Sequence, residues 1–274
     1  MHRSNRFSRL FGKFARTRFP AVFQNLVNKV YVSIFKLDLS DFKSYKEYKS
    51  LNDLFTRHLE APRPIHNKPF NLISPTDSVI TELGRIRSGT ALQIKGMRYS
   101  VAELLFGRDS NGACIDLPGG LDSYSFLNLY LSPRDYHHYH APCDLEVLQA
   151  RYFSGCLLPV NMASLTKNEN LFIRNERVVL TLRLAYNQSL AYFVAVGALN
   201  VGGLRLSFDD RLQSNAKAGD GIYNYDPPIA LKAGDHLGNF EMGSTVVLIA
   251  RANWTLSRDS VVRMGEEVGT LPLC

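Results

Sequence analysis

The first 36 residues contain no aspartate or glutamate. They hold Arg3, Arg6, Arg9, Lys13, Arg16, Arg18, Lys29 and Lys36, so this segment accounts for the net charge of +7 and the rest of the 274-residue chain is close to neutral. A nucleic-acid binder more often spreads its basic side chains over a folded face or groove, and that class is set aside. Cysteine is scarce: Cys114, Cys143, Cys156 and Cys274 form no CxxC pair and no metal-ligand spacing. Reduced thiols in a cytosolic setting are expected. Cys274 is not fourth from the end, so prenylation is not expected. Apolar runs such as 191–199 fall far short of the ~18–20 residues that a spanning helix needs. The arginines scattered near the start leave no apolar core for a secretory signal, although an Arg-rich, acid-free start also fits a mitochondrial presequence.

What is present reads as one globular unit: 45% hydrophobic, 21% charged and 11% aromatic residues suffice for a full core. Phe7, Leu10, Phe11 and Phe14 stand at helical spacing. After Pro20 the set Val22, Phe23, Leu26, Val27, Val30, Tyr31, Ile34 and Phe35 repeats it. Two basic amphipathic helices fit an anionic membrane surface, and they equally fit packing on their own domain or on a second copy. The absence of acids favours the membrane. Residues 50–60, SLNDLFTRHLE, predict a third helix capped by Ser50 and ended before Pro62 and Pro64.

Beyond this point strand-and-turn patterning takes over, with runs at 79–83, 91–94, 126–131, 145–152, 178–184, 190–196 and 245–249 separated by Gly, Asn, Asp and Pro. The expected class is α+β: basic amphipathic helices over residues 1–60, then a β-rich catalytic body over 61–274. Residues 107–124 and 209–228 are expected as long surface loops.

Three features carry candidate chemistry. LSPRDYHHYHAP, residues 131–142, places His137, His138 and His140 at a strand end. Such a cluster is inert, binds metal or does acid–base work, and no HExxH or Cys/His pattern supports a metal. In FEMGSTVVLIA, Ser244 follows Gly243 at the head of a β-branched run and by itself reads as a strand start. In ISPTDSVI, Asp77 by itself reads as a turn residue bonded to its own backbone. Taken together, Asp77, His140 and Ser244 supply an acid, a base and a nucleophile, a set defined by geometry rather than chain order.

These segments resemble the bacterial phosphatidylserine decarboxylases from about residue 48 to residue 250. The matching stretches, in the family's order, are SLNDLFTRHLEAPRP, ISPTDSVI, LQIKGMRYS, YLSPRDYHHYHAPCD, LLPVN, LFIRNERV, VGALNVG and GNFEMGST. The resemblance implies a proenzyme that cuts itself between Gly243 and Ser244 into a β chain, 1–243, and an α chain, 244–274. It implies that Asp77 and His140 form the triad with Ser244 for that step, and that His137 serves decarboxylation. Attack of the Ser244 hydroxyl on the preceding carbonyl gives an ester, and elimination and hydrolysis then leave a covalent pyruvoyl group derived from Ser244. By the same resemblance, that group forms a Schiff base with phosphatidylserine, releases CO₂ and yields phosphatidylethanolamine. The implied partners are phosphatidylserine, the anionic membrane surface and the two chains of one precursor, at the cytoplasmic side of the cell membrane. A homodimer is compatible with this.

Three positions depart from the family pattern: Asp77-Ser78 where Asp-Gly is usual, His138 where arginine is usual, and Leu145 where glycine is common. His138 then reads as a structural substitute. Two alternatives remain open at this stage: a conventional Ser-His-Asp hydrolase, though Met242-Gly243-Ser244-Thr245-Val246 lacks the second glycine of GxSxG, and a non-enzymatic membrane-binding β module.

Overall fold

In the computed structural model of the chain, the described residues are 11–66, 68–94, 97–108, 112, 120–198, 203–212, 219–241 and 244–272. Arg3, Arg6, Phe7, Arg9, Leu10, Cys114, Gly243 and Cys274 of the sequence reading lie outside them, as does most of the predicted loop 107–124.

Helices come first. A short helix at 11–16 (α1) precedes α2, Ala21–Phe35, and α3, Leu51–Phe55. Ser50 caps α3 as predicted, its hydroxyl accepting from the Asp53 N–H at 3.0 Å. The helix stops at residue 55 rather than 60 because its next turn is used elsewhere. The Thr56 carbonyl accepts from His138, and the Glu60 N–H, its helical partner, goes to the Asp41 carbonyl. Later helices are single turns: α4, Val101–Phe106, α5, Met162–Leu165, and α6, Leu171–Arg174.

The strands are β1 Asn71–Ile73, β2 Ser78–Arg85, β3 Thr90–Ile94, β4 Met97–Ser100, β5 Ser125–Leu131, β6 His138–His140, β7 Leu145–Phe153 and β8 Arg177–Leu184. They continue with β9 Leu190–Val196, β10 Leu204–Leu206, β11 Gly221–Leu231, β12 His236–Phe240, β13 Ser244–Ala250, β14 Asn253–Trp254, β15 Val261–Val262 and β16 Glu267–Thr270. Every predicted strand run is a strand. The predicted loop 209–228 is corrected in part: its second half enters β11, an exposed edge strand whose Tyr, Asn and Pro content conceals the pattern.

An eight-stranded antiparallel sheet, ordered β11-β7-β8-β9-β13-β5-β2-β15, is the frame. Every residue of β13 is buried because both faces of the sheet are covered. Val246, Leu248 and Ala250 join one core cluster with Tyr139, Leu204, Leu237 and Phe240 of the small sheet β10-β12-β6 and Leu72 and Val268 of the sheet β1-β16-β14. Val247 and Ile249 face the other cluster, with Tyr99, Leu104 and Phe172 from β4, α4 and α6. Strands buried on two faces lose the polar alternation of half-exposed ones, which is why they read as apolar runs.

Helix α2 packs the opposite way. Its buried residues are Gln24, Asn28 and Tyr31. Gln24 donates to the Asn28 side-chain oxygen at 2.8 Å, and the Asn28 amide donates to the Tyr45 and Tyr48 carbonyls at 2.9 Å each. Val22, Phe23, Leu26, Val30 and Ile34 are exposed, from 46% to 87%.

Candidate active site

Side chains alternate across a strand, and the run 136–140, which ends in β6, uses this to set His137 apart from His138 and His140. Tyr139 points into the core against Phe193 and Phe240, and His137, two residues earlier, is fully buried beside the Phe55 ring. His138 and His140 take the other face, where they stack on Tyr136 and approach His236.

His137 Nδ1 lies 2.8 Å from the Asp135 carbonyl. A carbonyl only accepts, so this nitrogen carries the proton and Nε2 holds the lone pair. Nε2 is buried without a partner among the described residues. Burial first, and the Arg57 charge second, hold the ring well below the ordinary histidine range.

His140 has the same tautomer with a different result. Its Nδ1 donates to the Gly234 carbonyl at 2.8 Å, and Nε2 faces the Tyr136 hydroxyl at 3.1 Å. Burial lowers its pKa also. His138 bridges the Thr56 carbonyl at 3.0 Å and His236 Nε2 at 2.8 Å. The pair is neutral: burial pushes His138 down to about 3 and His236 down to about 4.

Asp77 bonds neither its own turn nor a histidine ring. Its Oδ1 accepts from the Met264 N–H at 2.8 Å and from Arg63, which also pairs with Asp41 and lies over the Tyr136 ring at 5.7 Å. Asp77 and His140 are therefore linked through Arg63 and Tyr136, with no direct hydrogen bond between them. A cavity of about 460 Å³ opens on this cluster, lined by His58, Arg63, Tyr136, His140, Asp235 and His236 among others.

Ser244 begins β13 opposite Leu131 of β5, with its hydroxyl fully buried and without a partner among the described residues. It shares its face of β13 with Val246 and Leu248, the face on which Tyr139 and Phe240 pack. The Phe240 N–H donates to the His137 carbonyl at 2.9 Å, which ties the approach to Ser244 to the histidine segment. Orphaned buried hydroxyl and imidazole groups are costly. The Ser244 hydroxyl at the head of β13, with the segment of His137 tied to Phe240 nearby in the chain, fits a site that is polar by function, and a pyruvoyl group made from Ser244 would be formed there. Among the described residues no His, Cys, Asp and Glu grouping could hold a metal ion.

The departures from the family pattern are accommodated. Ser78 does not adopt the left-handed backbone that would require glycine. Leu145 begins β7 inside the main core. His138 fills its place by two hydrogen bonds.

The sequence reading did not single out Arg57, Arg63, Tyr136 or His236. All four sit in quoted stretches or beside them, but Arg57, Arg63 and Tyr136 are lone residues in irregular backbone and His236 opens the short strand β12, so periodicity gives no signal.

The family model for phosphatidylserine decarboxylase matches residues 51–270. A phosphatidylserine decarboxylase proenzyme of Helicobacter pylori is 50% identical over 268 residues, 97% of each chain. That of Campylobacter jejuni is 41% identical over 271 residues, 95% of this chain and 97% of the relative. That of Brevibacillus brevis is 34% identical over 274 residues, 97% of this chain and 94% of the relative. With the ordered motifs and the buried serine at the head of β13, these likenesses mean that the chain belongs to the phosphatidylserine decarboxylase family.

Proposed function

We propose that this chain is the self-cleaving precursor of a phosphatidylserine decarboxylase, cut between Gly243 and Ser244 into chains 1–243 and 244–274. Proenzymes of this family carry a pyruvoyl group derived from a serine. The observation that carries the reading is Ser244 itself: a fully buried hydroxyl, without a partner among the described residues, at the head of a central strand. A purely structural serine there would satisfy its hydroxyl or be replaced by alanine.

Asp77 and His140 are assigned to the cut. The His140 Nδ1–H on the Gly234 carbonyl leaves Nε2 as the basic nitrogen, so it must exchange the Tyr136 hydroxyl for that of Ser244. Asp77 acts on that geometry through Arg63, which it holds against the Tyr136 ring. His137 is assigned to decarboxylation, since its free Nε2 is buried on the face of β6 that Tyr139 shares. Once formed, the pyruvoyl carbonyl supplies the electron sink for loss of CO₂ from an amino-acid headgroup. The residues around it exclude water and hold the imidazole in one tautomer.

Residues 61–274 carry the chemistry in this reading, and residues 1–60 bring it to the lipid. Among the described residues no helix is long and apolar enough to cross a membrane. The outward apolar stripe of α2, with Arg16, Arg18, Lys29 and Lys36 around it, suits peripheral attachment to an anionic leaflet on the cytoplasmic side.

Intact-mass measurement of purified protein tests the reading. It should find two chains, the smaller beginning at position 244 with a pyruvoyl terminus, and one uncut chain for Ser244→Ala. An active wild-type protein of one uncut chain would overturn it.

A further inference from the structure

Arg57 is the most deeply buried cation among the described residues, 1% exposed, yet none of the ion pairs described includes it. Its guanidinium spends its hydrogen bonds on main chain instead. Nη2 donates to the Arg134 carbonyl at 2.6 Å and the Asp135 carbonyl at 3.1 Å, Nη1 reaches the Leu54 carbonyl at 3.5 Å, and the group lies 4.5 Å over the Phe42 ring. Asp77 and Asp135 act on this charge only at longer range, and a buried charge without a carboxylate in direct contact is expensive. Neutral donors could hold carbonyls as well, so the positive charge needs a reason.

The reason lies one bond further on. The Asp135 carbonyl that receives Arg57 is the one that receives His137 Nδ1 at 2.8 Å. That carbonyl only accepts, so it makes Nδ1 the protonated nitrogen, and Arg57 holds the carbonyl where it can do so. The preceding residues are held from the same helical side: the Tyr31 hydroxyl of α2 donates to the Pro133 carbonyl at 3.1 Å. Three successive carbonyls, of Pro133, Arg134 and Asp135, are thus gripped by α2 and by the segment after α3.

We propose that Arg57 is a positioning residue for His137, fixing it through the Asp135 carbonyl as the neutral Nδ1–H tautomer with Nε2 free at the reacting centre. The titratable groups that act on the ring are Arg57 and His138, and the Asp135 carboxylate is turned away onto the Ser132 N–H at 2.7 Å. His138 is itself neutral, so Arg57 is the charge that resists protonation of His137. The inference rests on the reading of His137 as the decarboxylation residue, and its test separates the two.

The test uses uncut Ser244→Ala proenzyme with ¹⁵N-labelled histidine, the His137 signals being assigned by their loss in His137→Asn. The expected parent spectrum shows one neutral Nδ1–H ring from pH 5 to pH 8. Arg57→Met should raise the pH at which that ring takes a proton, and Arg57→Lys, which keeps the charge but not the fork, should keep it neutral with mixed tautomers. On the Ser244 background the same two variants should still be cut into two chains, with kcat lowered by about tenfold or more at unchanged KM. If Arg57→Met does not accumulate as folded protein, Arg57→Lys decides. His137 signals identical to the parent in the variants, or an unchanged kcat, would overturn the role of Arg57. A His137→Asn enzyme of full decarboxylase activity would instead overturn the assignment of His137.

Discussion

In β13 the seven side chains from Ser244 to Ala250 are all buried: the two hydroxyl residues Ser244 and Thr245 at its head, then five apolar ones that face both sides. In α2 the buried side chains are Gln24, Asn28 and Tyr31, and the apolar stripe from Val22 to Ile34 faces out. Both elements are amphipathic or apolar in sequence, and only packing tells them apart. The β-body closes its own core, so its polar exceptions mark chemistry. The helix has satisfied its polar side against the Tyr45–Tyr48 segment and, through Tyr31, the body, and left its apolar side for another phase. Each exposed Leu, Ile or Val on it forgoes about 1.5–3 kcal/mol of burial, which a lipid interface would restore.

The sharpest way to break this comparison is to charge the outer stripe. Leu26→Glu, Val30→Glu and Ile34→Glu together should lower affinity for anionic vesicles by about 100-fold or more, with the melting temperature and chain cleavage unchanged. A large fall in melting temperature, measured calorimetrically, would mean that the stripe packs against protein. The converse change in the body is Phe240→Ala. This side chain is fully buried against Tyr139, and denaturant titration of the Ser244→Ala proenzyme should register a loss of about 3–5 kcal/mol.

Acid should act on the body and spare the helix surface. His137, His138, His140 and His236 all have pKa values below the ordinary 6.5 in the folded chain, with His138 at about 3 and His236 at about 4. The unfolded chain therefore binds more protons than the folded one below pH 6.5, and stability falls as pH drops towards 3–4. His138 alone should remove about 2 kcal/mol by pH 5, readable as a falling denaturation midpoint. A midpoint flat from pH 7 to pH 5 would show that these rings are not held neutral. The smallest effect belongs to the inverted face. Asn28→Leu should cost about 1–3 kcal/mol by orphaning the Tyr45 and Tyr48 carbonyls, and a stabilised Asn28→Leu would mean that α2 is not held by its polar side.

Much of the body was legible because strands covered on both faces announce themselves as apolar runs. Strand β11 was not, because an exposed edge strand carrying Asp226, Pro227 and Pro228 reads as a loop. The inversion of α2 was invisible, since periodicity gives the phase of a stripe and not the side to which it is turned. At the site, the histidines, Asp77 and Ser244 stand out in sequence, while their connections do not. That Asp77 reaches His140 by way of Arg63 and Tyr136, and Arg57 reaches His137 by way of a carbonyl, depends on contacts between residues as far apart as 57 and 137. No local pattern encodes such a contact.

The sheet order has a consequence for the life of the mature protein. The segment after the proposed cut supplies β13, which lies between β9 and β5, β15, which pairs with β2, and β16, which lies between β1 and β14. Scission before Ser244 would therefore leave two polypeptides interlaced in four ladders, β13 with β5 and β9, β15 with β2, and β16 with β1, with covalent continuity lost and the architecture kept. Their release would need global unfolding, and recovery afterwards would be second order in protein concentration. The precursor refolds as one molecule, and the mature form would have to find its lost strand again by diffusion. Its lifetime at the membrane would be set by the rate of its first unfolding.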